Sequence, residues 1–500
     1  MLVASLCGLA VPFAFAPHGF VFVEVLSFGV MYLMLREHSR ALVSMSWFVF
    51  GLGMFGYGVW WIQVSVHQFG LPIYAFSVSV TAGLIIIQAA HLALFGYLSQ
   101  GILANGSRVT ALFAIPAAWV LVEFLRSWFA SGFPWLLLGY AHTGTWLGGF
   151  APIGGAYLVS YVVMFLAVSA MLTVRSRDVR FALTALVVIS AGAWLSSGSW
   201  RHVHGDEIRR ATLVQGAVPQ EIKWHPEIRQ PSIDLYRQLS EPHWQSDVIV
   251  WPETAIPAYA DEVPQVLASL ASRANTEATT LLTGLATRDT RLSPNERRRY
   301  FNSLVQIGLA GRGSTSNLIA QYDKRHLVPF GEYMPLDAVL RPITDLLSVP
   351  MSDFSAGESD QVTISAGDMI FGASICYEDA YAELLRDALP MANVLVNISN
   401  DAWFGATIAP HQHLQISQMR ALELGRYLLR ATNTGISAVI NERGQVVAKS
   451  EQFKPQALSA EFRLLSGLTP FARMGSLPIF VWCGACIAVA YWRRPKKTEL

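Results

Sequence analysis

Charged residues are scarce in this sequence, and the uncharged positions are gathered into long stretches. Only 14% of the 500 residues are Asp, Glu, Lys or Arg, while 53% are hydrophobic; in soluble domains about a quarter of the residues are charged. Charged residues are absent from long stretches that include 41–107, 127–174, 181–200 and 474–492. Each can hold one or more spans of about 20 apolar residues. This composition excludes a wholly soluble protein.

An excess of either charge sign is also missing, since 36 basic residues face 35 acidic ones. No overall field therefore indicates nucleic acid as a partner. Apart from Arg126, the basic residues of the short loops nevertheless follow every second apolar span. They are Arg36, Arg40, Arg108, Arg175, Arg177, Arg180, Arg493, Arg494, Lys496 and Lys497. Because basic loops stay on the cytoplasmic side, this bias predicts that residues 199–473 lie outside the cytoplasmic membrane.

Breaks at Gly, Pro and polar residues divide the apolar stretches into about eight predicted spans. They lie near 3–16, 20–35, 42–62, 72–98, 109–125, 153–174, 181–198 and 475–492. The predicted domains are an N-terminal membrane domain of about seven spans (1–198), an extracytoplasmic domain (199–473), a C-terminal transmembrane helix (474–492) and a basic cytoplasmic tail (493–500). In the fifth span Glu123 and Arg126 are three residues apart, so we expect a structural pair on one helix face.

The segment 199–473 has the texture of a globular domain. Short β-branched runs recur at 211–218, 246–256, 279–287, 300–308, 317–328, 369–377, 392–399 and 435–450. Helical patterns at 226–239, 262–274, 378–389 and 411–429 lie between several of them. This alternation predicts an α/β fold with helices that cover the faces of the sheets. An apolar stretch at 340–354 is a candidate lid or membrane-contacting arm.

Cysteine is almost absent from the same segment. Cys376 is its single cysteine, because Cys7, Cys483 and Cys486 all fall in predicted spans. A disulfide within the domain is therefore excluded. The thiol is either a small core residue or a working nucleophile.

Three apolar strands each end at a residue that can take part in catalysis. Glu253 follows "VIVWP", Lys324 follows "NLIAQYD", and Cys376 follows "IFGASI". A carboxylate can act as a base for a thiol, and an ammonium group can stabilise the negative charge that develops on a substrate. His411 and His413 have a zinc-like spacing, but they open a helical pattern without an obvious third ligand, so no metal is expected.

These motifs carry a resemblance to the nitrilase superfamily. Glu253 in "WPETA", Lys324 in "YDKRHLVPFGE" and Cys376 in "ICYED" resemble its Glu-Lys-Cys triad. The stretches "VQGAVPQEIKW", "NISNDAWFG" and "EFLRSWFASGFPWLLLGY" resemble its membrane-bound apolipoprotein N-acyltransferase branch, with Ser131 standing where that branch leads us to expect Thr. The resemblance implies an α-helical membrane bundle of about eight spans plus an α/β domain built as an α-β-β-α sandwich.

The activity that the resemblance implies is a two-step acyl transfer in the bacterial inner membrane, with the catalytic domain on the periplasmic side. Cys376 would take an acyl chain from a phospholipid as a thioester and pass it to the α-amino group of a diacylglyceryl-modified apolipoprotein. No cofactor is implied. Glu253 would be the base and Lys324 the oxyanion stabiliser. The remaining implied site residues, which are accessory or contact substrate, are Trp224, Asn302, Glu332, Tyr377 and Glu378.

Two other functions stay open at this point. A membrane-tethered nitrilase-type amidase would use the same triad with water as the acceptor, although one span would suffice to anchor it. A transporter with an outer sensory domain would need polar or broken helices at the centre of the membrane. The long uncharged stretches offer few such groups.

Overall fold

The computed structural model describes residues 1–35, 38–70, 72–105, 107–198, 203–289, 299–308, 318–334, 353–361 and 363–492. The chain forms two compact units. The first comprises Met1–Val66, Ile73–Arg201 and Thr469–Leu500, and the second comprises His67–Pro72 and His202–Leu468. The predicted basic tail (493–500) and nearly all of the apolar stretch 340–354 lie outside the described residues. The predicted domain boundaries stay predictions.

The first unit is built from helices. They are α1 (Leu2–Ala10), α2 (Phe22–Leu35), α3 (Arg40–Gly58), α4 (Ile62–Phe69), α5 (Tyr74–Asn105), α6 (Arg108–Trp128), α7 (Ala151–Ser176) and α8 (Val179–Ser196). The last residues of α4 belong to the second unit. Two further helices of the first unit follow the second unit in the chain. By length and apolar composition α3, α5, α6, α7 and α8 could each cross a membrane. Shorter apolar helices cover Leu2–Ala14, Phe22–Met34 and Leu477–Trp492. The count of about eight spans therefore stays a prediction.

Glu123 and Arg126 in α6 are both buried, and both bind the backbone of the loop that follows the helix. The Arg126 guanidinium donates to the carbonyl groups of Phe133, Trp135 and Leu136, at 3.2, 2.7 and 2.9 Å. Glu123 Oε1 accepts from the backbone N–H of Leu138 at 2.9 Å. Buried charges are tolerated when such bonds satisfy them. Both residues therefore stabilise the loop after α6, and the direct pair that we expected between them stays a prediction.

The second unit contains two main sheets. Its strands are β1 (Val203–His204), β2 (Ile208–Gln215), β3 (Val248–Val250), β4 (Ile256–Tyr259), β5 (Thr280–Arg288), β6 (Tyr300–Ile307), β7 (Leu318–Asp323), β8 (Thr363–Ala366), β9 (Met369–Ile375), β10 (Val394–Ser399), β11 (Leu428–Thr432), β12 (Ala438–Ile440), β13 (Val446–Lys449), β14 (Gln456–Arg463) and β15 (Ser466–Gly467). One sheet has the order β14-β2-β3-β5-β6-β7 with β4 beside β5, the other has the order β13-β12-β11-β10-β9-β8, and β1 pairs with β15.

The helices of the second unit are α9 (Pro226–Ser240), α10 (Pro264–Glu277), α11 (Ala382–Arg386) and α12 (Ala409–Leu424); α13 (Pro470–Met474) and α14 (Leu477–Trp492) return to the first unit. Alternate residues of each strand point to opposite faces of a sheet. Val248 and Val250 accordingly pack in the core between the two sheets, while Ile249 and Trp251 pack against α9 and α10. With α12 against the second sheet, this is the predicted α-β-β-α sandwich.

The helix predicted over 411–429 ends earlier in the structure than the sequence pattern indicates. Helix α12 ends at Leu424 because Gly425 adopts a left-handed conformation (φ 64°), which glycine reaches without steric strain. The residues after it enter β11, which pairs parallel with β10 in the middle of its sheet. The pattern expected at 378–389 is likewise split, into a 3₁₀ helix over Cys376–Ala380 and the short helix α11.

Candidate active site

The sandwich brings together the three strand ends that the sequence singled out. Glu253 lies three residues after β3, Lys324 directly follows β7, and Cys376 directly follows β9. All three side chains are buried, with 6%, 1% and 7% of their residue surface exposed. Lys324 Nζ lies 3.9 Å from Glu253 Oε1. A buried carboxylate and a buried ammonium group this close together can accept a proton from a reacting group and stabilise negative charge on it.

Glu253 has one satisfied and one unsatisfied carboxylate oxygen. Asn302 Nδ2 donates to Oε1 at 2.7 Å, whereas Oε2 is buried without a hydrogen-bond partner among the described residues. The same Asn302 amide also donates to Glu332 Oε1 at 3.0 Å, and it therefore fixes both carboxylates. A buried oxygen that lacks a donor is free to accept a proton.

Lys324 is paired with Glu332 at short range. Its Nζ lies 2.9 Å from Oε1 and 2.8 Å from Oε2 of Glu332. Burial acts to lower the pKa of Lys324, but Glu332 and Glu253 outweigh it and hold that pKa above its usual value. The lysine is therefore a permanent cation. We call Glu253, Asn302, Lys324 and Glu332 the base cluster.

Cys376 stands at a strained turn and is not pre-ionised. Its φ of 53° lies in the left-handed region, which residues other than glycine rarely adopt. Burial, followed by the charge on Glu253, raises the pKa of the Cys376 thiol, and Lys324 lowers it only partly. The Cys376 thiol therefore holds its proton more tightly than an ordinary cysteine does. Its proton has to be transferred to a base during the reaction.

Glu378 holds the cysteine turn against the segment that follows Lys324. Its Oε1 accepts from the backbone N–H groups of Arg325 and His326 at 2.6 and 2.9 Å. Its Oε2 accepts from Ile375 N at 2.8 Å and from the Tyr322 hydroxyl at 3.1 Å. Burial raises the pKa of Glu378, although these donors partly offset that rise. Glu378 thus acts as a clamp between two strand ends.

The other two predicted residues are placed differently. Tyr377 is half-buried and packs beside Tyr381, with ring centroids 5.4 Å apart. Trp224 lies in the loop between β2 and α9 and is 46% exposed. An exposed indole is available to a ligand, and neither position conflicts with a substrate-contacting role.

A second charged cluster, which the sequence did not predict, lies behind the cysteine turn. His413 Nε2 is 3.0 Å from Asp379 Oδ1, and its Nδ1 is 2.9 Å from Asp401 Oδ1. Arg430 lies 3.3 Å from Asp379 Oδ2 and 3.0 Å from Asp401 Oδ2. We call Asp379, Asp401, His413 and Arg430 the histidine cluster; all four are almost completely buried.

The histidine cluster directly supports the cysteine turn. Burial and Arg430 lower the pKa of His413, but Asp379 and Asp401 raise it to about 9. His413 Nε2 also lies 3.4 Å from the Cys376 carbonyl oxygen, to which Asn397 Nδ2 donates at 3.2 Å. Both ring nitrogens of His413 thus face carboxylates. In the described part of the chain, no group of three His, Cys, Asp or Glu residues is arranged to bind a metal ion.

Comparison with known proteins gives matches along the whole chain. Residues 211–466 match the carbon-nitrogen hydrolase family, and residues 7–169 match the apolipoprotein N-acyltransferase N-terminal domain. The first of these matches lies within the second unit, and the other lies within the first unit apart from residues 67–72.

Full-length relatives are similar to both parts together. Apolipoprotein N-acyltransferase from Methylococcus capsulatus is 40% identical over 508 residues, covering 100% of this chain and 97% of that protein. The protein of the same name from Vibrio cholerae is 36% identical over 496 residues, with 99% and 97% coverage. That from Nitrosomonas europaea is 38% identical, with 97% and 95% coverage.

Proposed function

This chain belongs to the apolipoprotein N-acyltransferase family, an acyltransferase branch of the nitrilase superfamily, and on that premise we propose how its residues transfer the acyl chain. The acyl chain comes from a membrane phospholipid and ends on the α-amino group of the N-terminal diacylglyceryl-cysteine of an apolipoprotein. A thioester on Cys376 carries it between these two substrates. The catalytic domain works on the periplasmic side of the bacterial inner membrane.

The first half-reaction begins with proton transfer from Cys376 Sγ to Glu253. The sulfur attacks the ester carbonyl carbon of the phospholipid, and the resulting oxyanion is stabilised by the Lys324 ammonium group. When the tetrahedral intermediate collapses, the carbon–oxygen bond to the glycerol breaks. Glu253 returns the proton to the departing alkoxide, which leaves as a lysophospholipid. Cys376 is left as a thioester.

The second half-reaction reverses these roles for the acceptor. The neutral amine of the apolipoprotein attacks the thioester carbon, and Glu253 accepts a proton from the nitrogen. The carbon–sulfur bond then breaks, and the proton passes to the Cys376 thiolate, which restores the resting enzyme. The two substrates react in turn, so the kinetics should be ping-pong.

The observation that carries this proposal is the unpaired, buried Oε2 of Glu253. Its partner oxygen is fixed by Asn302, so the carboxylate is oriented and still able to accept a proton. The raised pKa of the Cys376 thiol makes such a base necessary. Together these features favour a thiol that passes its proton to Glu253 as it attacks an electrophile.

Intact-mass measurement on the purified protein tests the proposal. Phospholipid alone should add the mass of one acyl chain, hydroxylamine should remove it, and a diacylated lipopeptide with a free amine should discharge it as an amide. Cys376→Ala should abolish the adduct. The matched control replaces Cys7, Cys483 and Cys486 together with Ala and should retain it.

Two outcomes would redirect the proposal. An adduct that survives the loss of Cys376 would identify another nucleophile. Discharge by water as fast as by the lipopeptide would support the membrane-tethered amidase instead. The proposed topology has its own test, because reporter fusions near residues 200 and 500 should report opposite sides of the membrane.

A further inference from the structure

A second buried lysine lies next to the candidate base. Lys223 is only 1% exposed, although it sits in the loop between β2 and α9, one residue before the exposed Trp224. Its Nζ donates to the main-chain carbonyl of Glu253 at 3.1 Å and to the Thr254 hydroxyl at 3.2 Å. Removing an ammonium group from water is costly, so a buried lysine needs specific partners that offset this desolvation cost. Both partners of Lys223 belong to the turn that carries Glu253.

That turn does not have a relaxed backbone. Thr254 has a φ of 47°, and β-branched residues rarely adopt the left-handed region. The turn also packs against Gly284 of β5. A Cβ atom at Gly284 would lie 2.6 Å from the Pro252 carbonyl oxygen and 2.7 Å from Glu253 Cα. A strained turn persists only when its surroundings hold it on more than one side. The backbone N–H of Gly284 donates to the Pro252 carbonyl at 3.2 Å, and Lys223 adds bonds to Glu253 and Thr254.

Charge gives a second reason for a lysine at this position. The base cluster has two carboxylates and one ammonium group, so the Lys223 ammonium brings the formal charge of the site to zero. Burial lowers the pKa of Lys223 to about 8, and the nearby charge of Glu253 limits the fall. A buried lysine paired in this way remains charged in most molecules at neutral pH.

We propose that Lys223 is a positioning residue for Glu253: it fixes the strained Glu253–Thr254 turn so that the unpaired carboxylate oxygen faces the Cys376 thiol. The proposal rests on the proposed function for the identity of the base, and it deepens that function by adding a residue that acts through Glu253. Misplacement of a catalytic group by about 1 Å can cost 10²-fold in rate.

The test uses a reaction that needs no lipid. In the protein that lacks Cys7, Cys483 and Cys486, iodoacetamide can alkylate Cys376, and the rate reports proton transfer from the thiol to Glu253. Lys223→Met should lower this rate by about 10- to 100-fold. In a Glu253→Gln background, where the base is already lost, Lys223→Met should change the rate by no more than about twofold.

The matched control is Arg426→Met. Arg426 is also a buried cation that donates to main-chain carbonyls, those of Ala392 and Gly467 at 2.8 Å each, but neither residue belongs to the base cluster. Its loss should lower the stability, and any effect on alkylation should be the same with and without Glu253. A structural role for Lys223 would give this additive behaviour.

A smaller pair of variants decides the question if Lys223→Met does not fold. Thr254→Val removes one acceptor of Lys223 and keeps the side-chain shape, so alkylation should slow several-fold; Thr254→Ser keeps the hydroxyl and should restore the rate. Equal rates for Val and Ser, or an undiminished Lys223→Met effect in the Glu253→Gln background, would overturn the proposal. If wild-type protein is alkylated as expected but phospholipid adds no acyl chain, the proposed function fails while this inference stands.

Discussion

Two charged clusters lie on either side of the cysteine turn, and they differ in how fully their groups are paired. In the histidine cluster each carboxylate oxygen has a donor: Asp379 binds His413, Ser417 and Arg430, and Asp401 binds Ser399, His413 and Arg430. In the base cluster Glu253 Oε2 and Asn302 Oδ1 are buried without a hydrogen-bond partner among the described residues.

The difference separates support from chemistry. In the histidine cluster the donors hold every carboxylate oxygen, although Arg430 Nε is buried without a hydrogen-bond partner among the described residues. Changing the protonation of these carboxylates would break several bonds at once. A buried carboxylate oxygen without a hydrogen-bond donor costs free energy, and such an oxygen in a folded protein indicates a functional role. We infer that the histidine cluster fixes the position of Cys376 and that the base cluster changes its protonation state. Variants on the two sides should therefore affect different measurements.

The largest effect on rate is expected at Glu253. Glu253→Gln keeps the shape and the contact to Asn302 but removes the base, so acylation of Cys376 should slow by about 10²- to 10⁴-fold. Single-turnover intact-mass measurement gives this rate. Glu262→Gln is the control, because Glu262 is an exposed carboxylate that pairs with Arg229. A Glu253→Gln variant that acylates at the wild-type rate would remove Glu253 from the mechanism.

Lys324 should have the next largest effect. Lys324→Ala takes away the cation that we propose stabilises the developing oxyanion, and we expect a loss of about 10²- to 10³-fold in the same acylation rate. The control is Lys454→Ala, since Lys454 is exposed and pairs only with nearby Glu451 among the described residues. If Lys324→Ala lowers the thermal stability of the protein but leaves the acylation rate unchanged, the lysine supports the fold alone.

The sequence predicted Glu253, Lys324 and Cys376 together because each stands at or shortly after the end of an apolar strand and because the three motifs carry the family resemblance. Glu253 and Lys324 follow strands of one sheet and Cys376 follows a strand of the other. Asn302 and Glu332 were expected from the resemblance alone. The histidine cluster gave no comparable signal. Arg430 was hidden because its strand directly follows α12, and the pattern of apolar residues continued past Gly425.

Lys223 shows a second limit of reading from sequence. It lies in the polar segment "PQEIKWH", where a lysine is ordinarily solvated. Only the folded loop places its ammonium group beneath Glu253. The strained conformations of Thr254 and Cys376 were equally invisible, since neither residue is a glycine that would mark a left-handed turn.

A smaller effect on rate, but a large one on stability, is expected in the histidine cluster. His413→Leu leaves the two buried aspartates with Arg430 as the one cation that pairs with both among the described residues, and removal of one charged partner from such a network typically costs about 3–5 kcal/mol. Thermal unfolding of the purified protein should register this loss, with His243→Leu as a partly exposed histidine control. If His413→Leu instead abolishes acylation without lowering stability, the division between the two clusters is wrong.

The smallest effect is a dependence of stability on pH. Because the pKa of folded His413 is about 9 and that of an unfolded histidine is about 6.5, folding favours the protonated ring. This stabilisation is complete below about pH 6.5 and is lost as the pH rises through about 9. Between pH 7 and pH 9 the wild-type protein should lose about 2 kcal/mol from this residue. Thermal unfolding across this window should show the decline, whereas His413→Gln, which cannot titrate, should lack that part of it. Parallel curves for the two proteins would mean that His413 is neutral in the fold, and the charge balance assigned to the histidine cluster would then be incorrect.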